Sequence, residues 1–430
     1  MTLDRDINHS LSEKASIRVK AASKLFRHLA SVELFGFDRL QKEIIYLFFY
    51  YLMVKDKNNE EIKKKFDKGE ALSAEDLTDL AYSAKLMELK CGMEDEEVFS
   101  FIFSLKDRLS FKQEDSKDFL SSIDLNLEAE DDFQEFISFV WRRNISRHLN
   151  YGEVKLSESI LSITDDDYVF INIRTIAGLY VTFGKNNNCD VLYYINNKLD
   201  RTFSKMLFFM MVPKEKRNRY RFIKERSDDN LLNRNKQKPN KIISFGDVWY
   251  VSPNRDNCDT TFDELDDELL SLIKNGDKAL IFVPDRFLAF GRGYSKKYRE
   301  QLYNLNSSIS ILSFERDITS LSLILLDNKA EKSDDILMMH LEEPDIVLDD
   351  ETCSEISAAL SMDEEKSNGL NNRAFMVKRS ELKDNDYMFY PPFYIKKKVD
   401  AFRKVSDIDN ELNEKYRELR VLCRRMSIPE

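Results

Sequence analysis

Glycine is scarce in this sequence, with eleven in 430 residues, well under half of the average usage of about 7%. Sites that cradle nucleotides place glycines where backbone must approach the ligand closely, and this chain has few for that purpose. No Gly-Lys-Ser/Thr occurs, and Gly291-Arg292-Gly293 is too short for a phosphate loop, so an ATPase is not expected. Cysteine and histidine are also sparse, five and four. Cys91, Cys189, Cys258, Cys353 and Cys423 are scattered without Cys-x-x-Cys spacing, which excludes the usual structural zinc patterns. Scattered and odd in number, they suit free thiols in a reducing cytoplasm. No Ser/His/Asp or Cys/His pattern marks a nucleophile. The longest apolar run, Ile44 to Val54, has 11 residues and is too short to span a bilayer. The first residues, MTLDRDINHS, are polar and lack the apolar core of a signal peptide. A net positive charge is missing too: 66 Lys and Arg stand against 77 Asp and Glu, a net charge of -11. That excludes a uniformly basic surface but permits a local patch. A cytoplasmic protein without membrane contact is expected.

What the chain does have is apolar periodicity and aromatic residues, 30 Phe and 18 Tyr. Residues 1–150 contain no proline, and ASIRVKAASKLFRHLASVELF and FDRLQKEIIYLFFYYLMV carry apolar residues at helical spacing. Ser73 to Asp76 before LTDLAYSAKLMEL has the form of a capping box. DEEVFSFIFSLKDRL and DDFQEFISFVWRRNISRHL begin with acids, as the helix dipole favours. An N-terminal helical domain over 1–150 is the expectation.

From about residue 165 short β-rich runs appear: DYVFINIR, CDVLYYIN, KIISFGDVWYV, KALIFVP, SISILSF and SLSLILLD. Helical stretches LDRTFSKMLFFMM, FDELDDELLSLIKNG and SKKYREQLYNL separate several of them. Nearly all-apolar strands alternating with helices predict a doubly wound, Rossmann-like α/β domain over 151–345, mainly parallel, with one antiparallel strand near its end. Residues 346–430 read as an acidic exposed helix and linker, an aromatic turn DYMFYPPFYI and a C-terminal helix. In that helix Val399, Phe402, Val405, Ile408, Leu412, Tyr416, Leu419 and Leu422 form an apolar stripe. Such a stripe predicts docking of 398–425 on the N-terminal bundle or on a partner subunit.

The stretch DELLSLIKNGDKALIFVPDRFLAFGRGYSKKYREQL, followed by SISILSFERDITSLSLILLDNK, resembles the methylation subunits of type I restriction-modification systems, within the adenine-specific N-6 DNA methyltransferases. Lys274-Asn275-Gly276, Val283-Pro284 and Phe290 to Gly293 stand at that family's Lys-Pro-Gly-Gly-like turn, Val-Pro strand end and Phe-Arg-Gly loop. Arg299 and Leu302 match its Arg-x-x-Leu helix, and DYMFYPPFYI is similar to its Tyr-Asp-Leu-x-Pro-x-x-Tyr segment. The resemblance implies a methyltransferase fold, S-adenosylmethionine as cofactor, DNA as substrate and a partner subunit.

The family's chemistry-bearing motifs are eroded. Its Asp-Pro-x-x-Gly-x-Gly turn corresponds to Asn172 to Gly178, where Asn172 replaces the acid, Arg174 lies within the turn, and Ile176 stands at the first glycine position. Only Gly178 persists. The acid that accepts the ribose hydroxyls falls near Tyr194 to Asn196, where no carboxylate is present, and Asp200 lies too far along the next helix. The Asn-Pro-Pro-Phe motif that holds a flipped adenine corresponds to Ser244, Phe245, Gly246, Asp247, Val248 and Trp249. Asp247 could accept an amino group and Trp249 could stack, without a spacing rule behind either. The Gly-x-x-x-Thr-Pro entry segment is matched only by Gly152 to Ser157. A lost hydrogen bond to a charged group costs about 1.5–3 kcal/mol, so losing the ribose acid alone would weaken cofactor binding roughly 10- to 150-fold.

The expectation is therefore a catalytically degenerate methyltransferase-like scaffold in a bacterial defence system, with no cofactor expected unless the eroded pocket still takes S-adenosylmethionine. The alternatives are an active adenine N6-methyltransferase and an enzyme repurposed for another nucleotide. A basic run with aromatics interleaved, including Lys214, Lys216, Arg217, Arg219, Arg221 and Lys224, is the candidate contact for DNA or RNA; a solvated basic segment is the plainer alternative. Asp165 to Asp167, and Asp256, Asp259 and Asp263, are read as loop carboxylates, and no metal is expected.

Overall fold

A computed structural model describes residues 37, 39–67, 72–93, 95–105, 133–134, 151–173, 176–224, 238–245, 267–289, 293–314, 321–342, 348–361, 373–395 and 415. Helix α1 (Arg39–Lys55) takes up the long apolar run, and Ile44 through Phe49 are all buried. Helix α2 (Glu60–Asp67) follows, then α3 (Ala74–Lys90) and α4 (Glu97–Leu105). The capping box is present: Ser73 Oγ accepts from the Asp76 amide at 3.1 Å, and the Ser73 amide donates to Asp76 Oδ2 at 2.7 Å. At the other end of α3, Glu88 is buried and accepts the Val98 and Phe99 amides at 3.0 Å each, capping α4 from outside.

Helix α5 (Tyr151–Leu161) leads into the sheet. Its strands are β1 (Tyr168–Asn172), β2 (Asp190–Tyr194), β3 (Tyr220–Ile223), β4 (Lys241–Phe245), β5 (Lys278–Pro284), β6 (Ser308–Phe314), β7 (Leu321–Asp327), β8 (Asp335–Leu341) and β9 (Ala374–Lys378). Among them run α6 (Lys198–Met211), α7 (Asp267–Asn275), α8 (Asp285–Ala289), α9 (Gly293–Asn304) and α10 (Asp350–Leu360), with α11 (Arg379–Asp384) after β9. The spatial order is β3-β2-β1-β4-β5-β7-β6-β8-β9. Strand β7 runs antiparallel between β5 and β6, as the missing helix before it predicts, whereas the pairs from β3 through β5 are parallel. Strand order reverses at β1, with β2 and β3 added on one side and β4 and β5 on the other, so the carboxyl ends of β1 and β4 bound the crevice where open α/β sheets bind ligands.

The two sheet faces differ in what covers them. Helices α7, α8 and α9 and the aromatic turn cover one, with Phe287, Leu302, Phe389 and Tyr394 in the core. The other face shares one continuous core with the helices from α1 to α6, so the helical region and the sheet are not separated by solvent there. Gly276 illustrates why a scarce residue is kept: a Cβ there would strike the Ile242 side chain and press within 3.3 Å of the Asn240 carbonyl.

The tail after residue 345 departs from expectation. Rather than an exposed helix and linker, α10 buries Cys353, Ile356 and Ala359, and Ser357 Oγ donates to the Ser159 carbonyl at 3.0 Å. Strand β9 then extends the sheet beyond β8. Edge strands only four or five residues long, carrying Arg, Lys and an exposed Met376, hide their β character from a sequence pattern. The family-like Arg299 is fully buried and donates to the Tyr387 carbonyl at 2.6 Å and to the Phe287 carbonyl, pinning the aromatic turn to α8. Except for Lys415, the C-terminal helix lies outside the described residues.

Helix α6 is buried almost all round, yet it carries Arg201 and Lys205. Arg201 forms a two-pronged pair with Glu97, Nε to Oε2 at 2.9 Å and Nη2 to Oε1. Lys205 Nζ reaches Asp95 at 2.6 Å and Glu97 at 3.0 Å. Burial alone would raise the Glu97 carboxyl, but the Arg201 hydrogen bonds and the Lys205 charge outweigh it and hold it below the usual range. Removing one partner leaves a buried charge uncompensated, so Glu97→Ala should cost about 3–5 kcal/mol in urea unfolding. Paired replacement, Glu97→Leu with Arg201→Met, should recover most of that loss. Because the folded-state pKa is depressed, the Glu97 contribution is complete above the unfolded value near ~4.3 and is lost as pH falls through the folded one. Unfolding curves of wild type and Glu97→Gln should therefore converge as the pH is lowered below about 4.

Candidate functional site: the carboxyl ends of β2, β1 and β4

Strand register brings three residues level at the crevice. Asn172 ends β1 and pairs with Tyr194 of β2 on one side and Ser244 of β4 on the other. Asn172 Nδ2 donates to Ser244 Oγ at 2.9 Å, and both residues are buried. Two positions that the resemblance links to cofactor and target base are thus bonded directly to each other. Phe245 points to the opposite face, stacked on Phe282 at 4.7 Å and edge-on to Tyr180 at 4.7 Å. Phe245, a member of the eroded target-base segment, is therefore core and turns no ring to the crevice. Arg174, Gly246, Asp247 and Trp249 lie outside the described residues.

After β1 the chain does not enter an α-helix. It makes a 3₁₀ segment, Gly178–Thr182, opened by Gly178 at a φ of +56°, a conformation glycine adopts freely. Ile176 is buried in the core, and the Ala177 amide donates to Ser204 Oγ of α6 at 2.8 Å. Tyr180, fully buried below, contacts Ser157 Oγ at 2.9 Å, so the eroded entry segment 152–157 serves as packing for this turn. Such a short helical segment concentrates little amide dipole toward a ligand.

At the end of β2, Asn196 is exposed and Asn197 caps α6, accepting the Leu199 and Asp200 amides at 2.8 and 3.1 Å. Arg201 Nη1 donates to the Ile195 and Asn196 carbonyls at 2.6 and 3.1 Å. The buried Arg201–Glu97 pair thus borders the strand end where the family places its ribose acid. The sequence signal for it was available: Arg201 and Lys205 lie one turn apart just before the apolar run Met206–Met211, and charges carried into the core with such a run need buried partners.

The basic run divides. Arg217 is buried, donating to the Val212 and Phe209 carbonyls at 2.8 and 2.7 Å and to Tyr51 Oη at 2.8 Å, so it is withdrawn as a phosphate contact. Lys216 donates to the Lys185 carbonyl at 2.7 Å and Arg219 to the Asn188 carbonyl. Arg221 bonds the Asn218 and Tyr220 carbonyls from edge strand β3 at 3.0 and 2.8 Å. Lys214 and Lys224 are exposed. Five positions keep some surface: Lys214, Lys216 and Arg219 on a 3₁₀ segment (Lys214–Arg219), Arg221 on edge strand β3 and Lys224 just after it.

Among the described residues no His, Cys, Asp and Glu cluster is arranged to hold a metal. Asp165 and Asp167 are spent on turns, accepting the Asn188 amide at 2.8 Å and the Thr164 amide at 2.7 Å. Cys91, Cys189 and Cys353 are free and buried, and burial pushes the Cys189 and Cys353 thiols up to about 12, which suppresses thiolate reactivity. Ser313 Oγ lies 2.8 Å from His340 Nδ1, a pairing sequence did not suggest, but Ser313 is fully buried and offers no nucleophile to a substrate. Among the described residues no helix is long and apolar enough to cross a membrane. Truncating Ser244 to Ala removes the buried acceptor of the Asn172 bond, so it should cost about 0.5–1.5 kcal/mol in urea unfolding, more than an exposed Ser→Ala change.

No protein-family model matches the chain, and neither does any curated protein. Solved structures do. The methyltransferase subunit of a type I restriction-modification system from Streptococcus thermophilus aligns with a TM-score of 0.52 at 11% identity, over 88% of this chain and 92% of that one. A modification subunit assigned to a type I restriction enzyme from Vibrio vulnificus YJ016 aligns with a TM-score of 0.51 at 12% identity, over 86% and 93%. The chain has the fold of the methyltransferase subunits of type I restriction-modification systems.

Proposed function

We propose that this protein is a catalytically degenerate relative of the DNA adenine methyltransferases, retained as a DNA- or partner-binding scaffold in a restriction-modification-like bacterial defence system. The observation that carries the proposal is the Asn172–Ser244 hydrogen bond across the switch point, with Asn196 in place of a ribose-binding acid. A working site of this fold presents a carboxylate and glycine-lined backbone at these strand ends. Here an amide donates to a hydroxyl across the strand ends, and Ile176 is buried in the turn. Restoring binding would need several independent changes, each worth a factor of roughly ten or more.

On this proposal the helical region 1–150 and the residues after β9 supply attachment surfaces on a methyltransferase-like body that runs from 151 and takes in α10 and β9 beyond 345. A protein partner and DNA are both suggested by what the similar subunits are: components of multi-part restriction systems. DNA or RNA would meet Lys214, Lys216, Arg219, Arg221 and Lys224 along the 3₁₀ segment 214–219 and the edge strand β3 that follows it. No cofactor is then required in the body, and the active adenine N6-methyltransferase is the outcome that the assay can return.

Incubating the full chain with radiolabelled S-adenosylmethionine and adenine-containing duplex DNA should transfer no methyl group above a no-protein control; N6-methyladenine in the product would overturn the proposal. Duplex binding by fluorescence anisotropy should weaken at least about tenfold when Lys214, Arg219 and Arg221 become Ala, with a shallower salt dependence. A wild type that binds no nucleic acid at low salt leaves a protein partner as the scaffold's only ligand.

A further inference from the structure

Tyr82, Leu86 and Leu89 of α3 are 53%, 52% and 48% exposed, three of the four large apolar residues so exposed among the described ones. Single exposed apolar residues are ordinary. Three at i, i+4 and i+7 are a helix face. Phe99 of α4 lies half-buried beside it, its ring 5.6 Å from Tyr82 and 5.7 Å from Phe103, so the strip continues over two helices. The opposite side of α3 already buries Leu77, Leu80, Ala81 and Ala84, so the exposed strip is not the face that holds the helix in place.

We propose that residues 398–425 of the same chain cover this strip as a helix running antiparallel to α3. The segment is long enough: as a helix its 28 residues would span about 42 Å, against about 25 Å for the 17 residues of α3. Its Leu412, Tyr416 and Leu419 span seven residues, the same interval as Tyr82 to Leu89. Charge selects the direction. Beyond Tyr82 on α3 lie the exposed acids Asp79 and Glu75, and beside Leu86 and Leu89 lie Lys85 and Lys90. Run antiparallel, Arg420, Arg424 and Arg425 meet the acidic end while Glu411 and Glu414 meet the basic one. Run parallel, Asp407 and Asp409 face Asp79, and Arg420 faces Lys90. Like charges opposed at both ends disfavour that arrangement.

The antiparallel register sets Cys423 beside Asp79, which one disulfide can report. In full-length protein with Cys258→Ser, mild oxidation of Asp79→Cys should give an intrachain cross-link to Cys423, independent of protein concentration and mapped by mass spectrometry. Lys90→Cys should give none. Adding Leu86→Asp and Leu89→Asp, both at exposed positions, should lower the Asp79→Cys cross-link yield about tenfold while circular dichroism stays unchanged. An interchain, concentration-dependent cross-link would assign the strip to a second copy and overturn the proposal. So would cross-linking at Lys90→Cys, or none at either position. None of these outcomes depends on whether the crevice takes a nucleotide.

Discussion

Arg201 is the side chain on which the arrangement turns. It sits in a helix buried almost all round, with 3% of its surface exposed, and a guanidinium there must find partners or not be there at all. It finds Glu97 from the helical region and two carbonyls at the end of β2. That single residue ties three things together: the α4 start, the α6 start and the strand end that borders the crevice. Lys205 one turn on repeats the tie through Asp95 and Glu97. Buried ion pairs of this kind add little net stability compared with apolar packing, but they admit only one arrangement of the elements they join.

With α6 so fixed, the crevice follows. Ser204 of α6 accepts the Ala177 amide, which holds the turn after β1 against the helix and seats Ile176 in the core. Tyr180 and Phe245 then pack together beneath the sheet's carboxyl edge, and Asn172 closes onto Ser244 above them. In each step a group at the crevice is turned to a partner within the protein. The fold persists because strand order and helix packing depend on apolar burial, not on the motif residues.

Much of this was legible in the sequence, and for a physical reason. Strands buried on both faces read as unbroken apolar runs, so β1, β2, β5, β6 and β7 could be placed almost to the residue. Asn172, Ser244 and Asn196 lie at the strand ends where the eroded motifs placed them. What sequence missed lies at the sheet's flanks. Strand β3 reads as part of a basic run because it carries Arg221 and lies between Arg219 and Lys224 at an edge, and β9 looks like linker because only Val377 among its five residues is fully buried. Arg217 read as a surface cation, since charge in a sequence carries no label for burial; only its Tyr51 and carbonyl partners, 166 and five to eight residues away, account for it. Pairing over such separations is invisible to spacing rules.

Calorimetric titration of S-adenosylmethionine into the full chain tests the central claim most directly, because binding precedes any chemistry and needs no partner or DNA. Expected is no heat beyond dilution up to millimolar cofactor, as the missing acid and the filled turn require. A dissociation constant in the low micromolar range would contradict the account and make the crevice a working cofactor site.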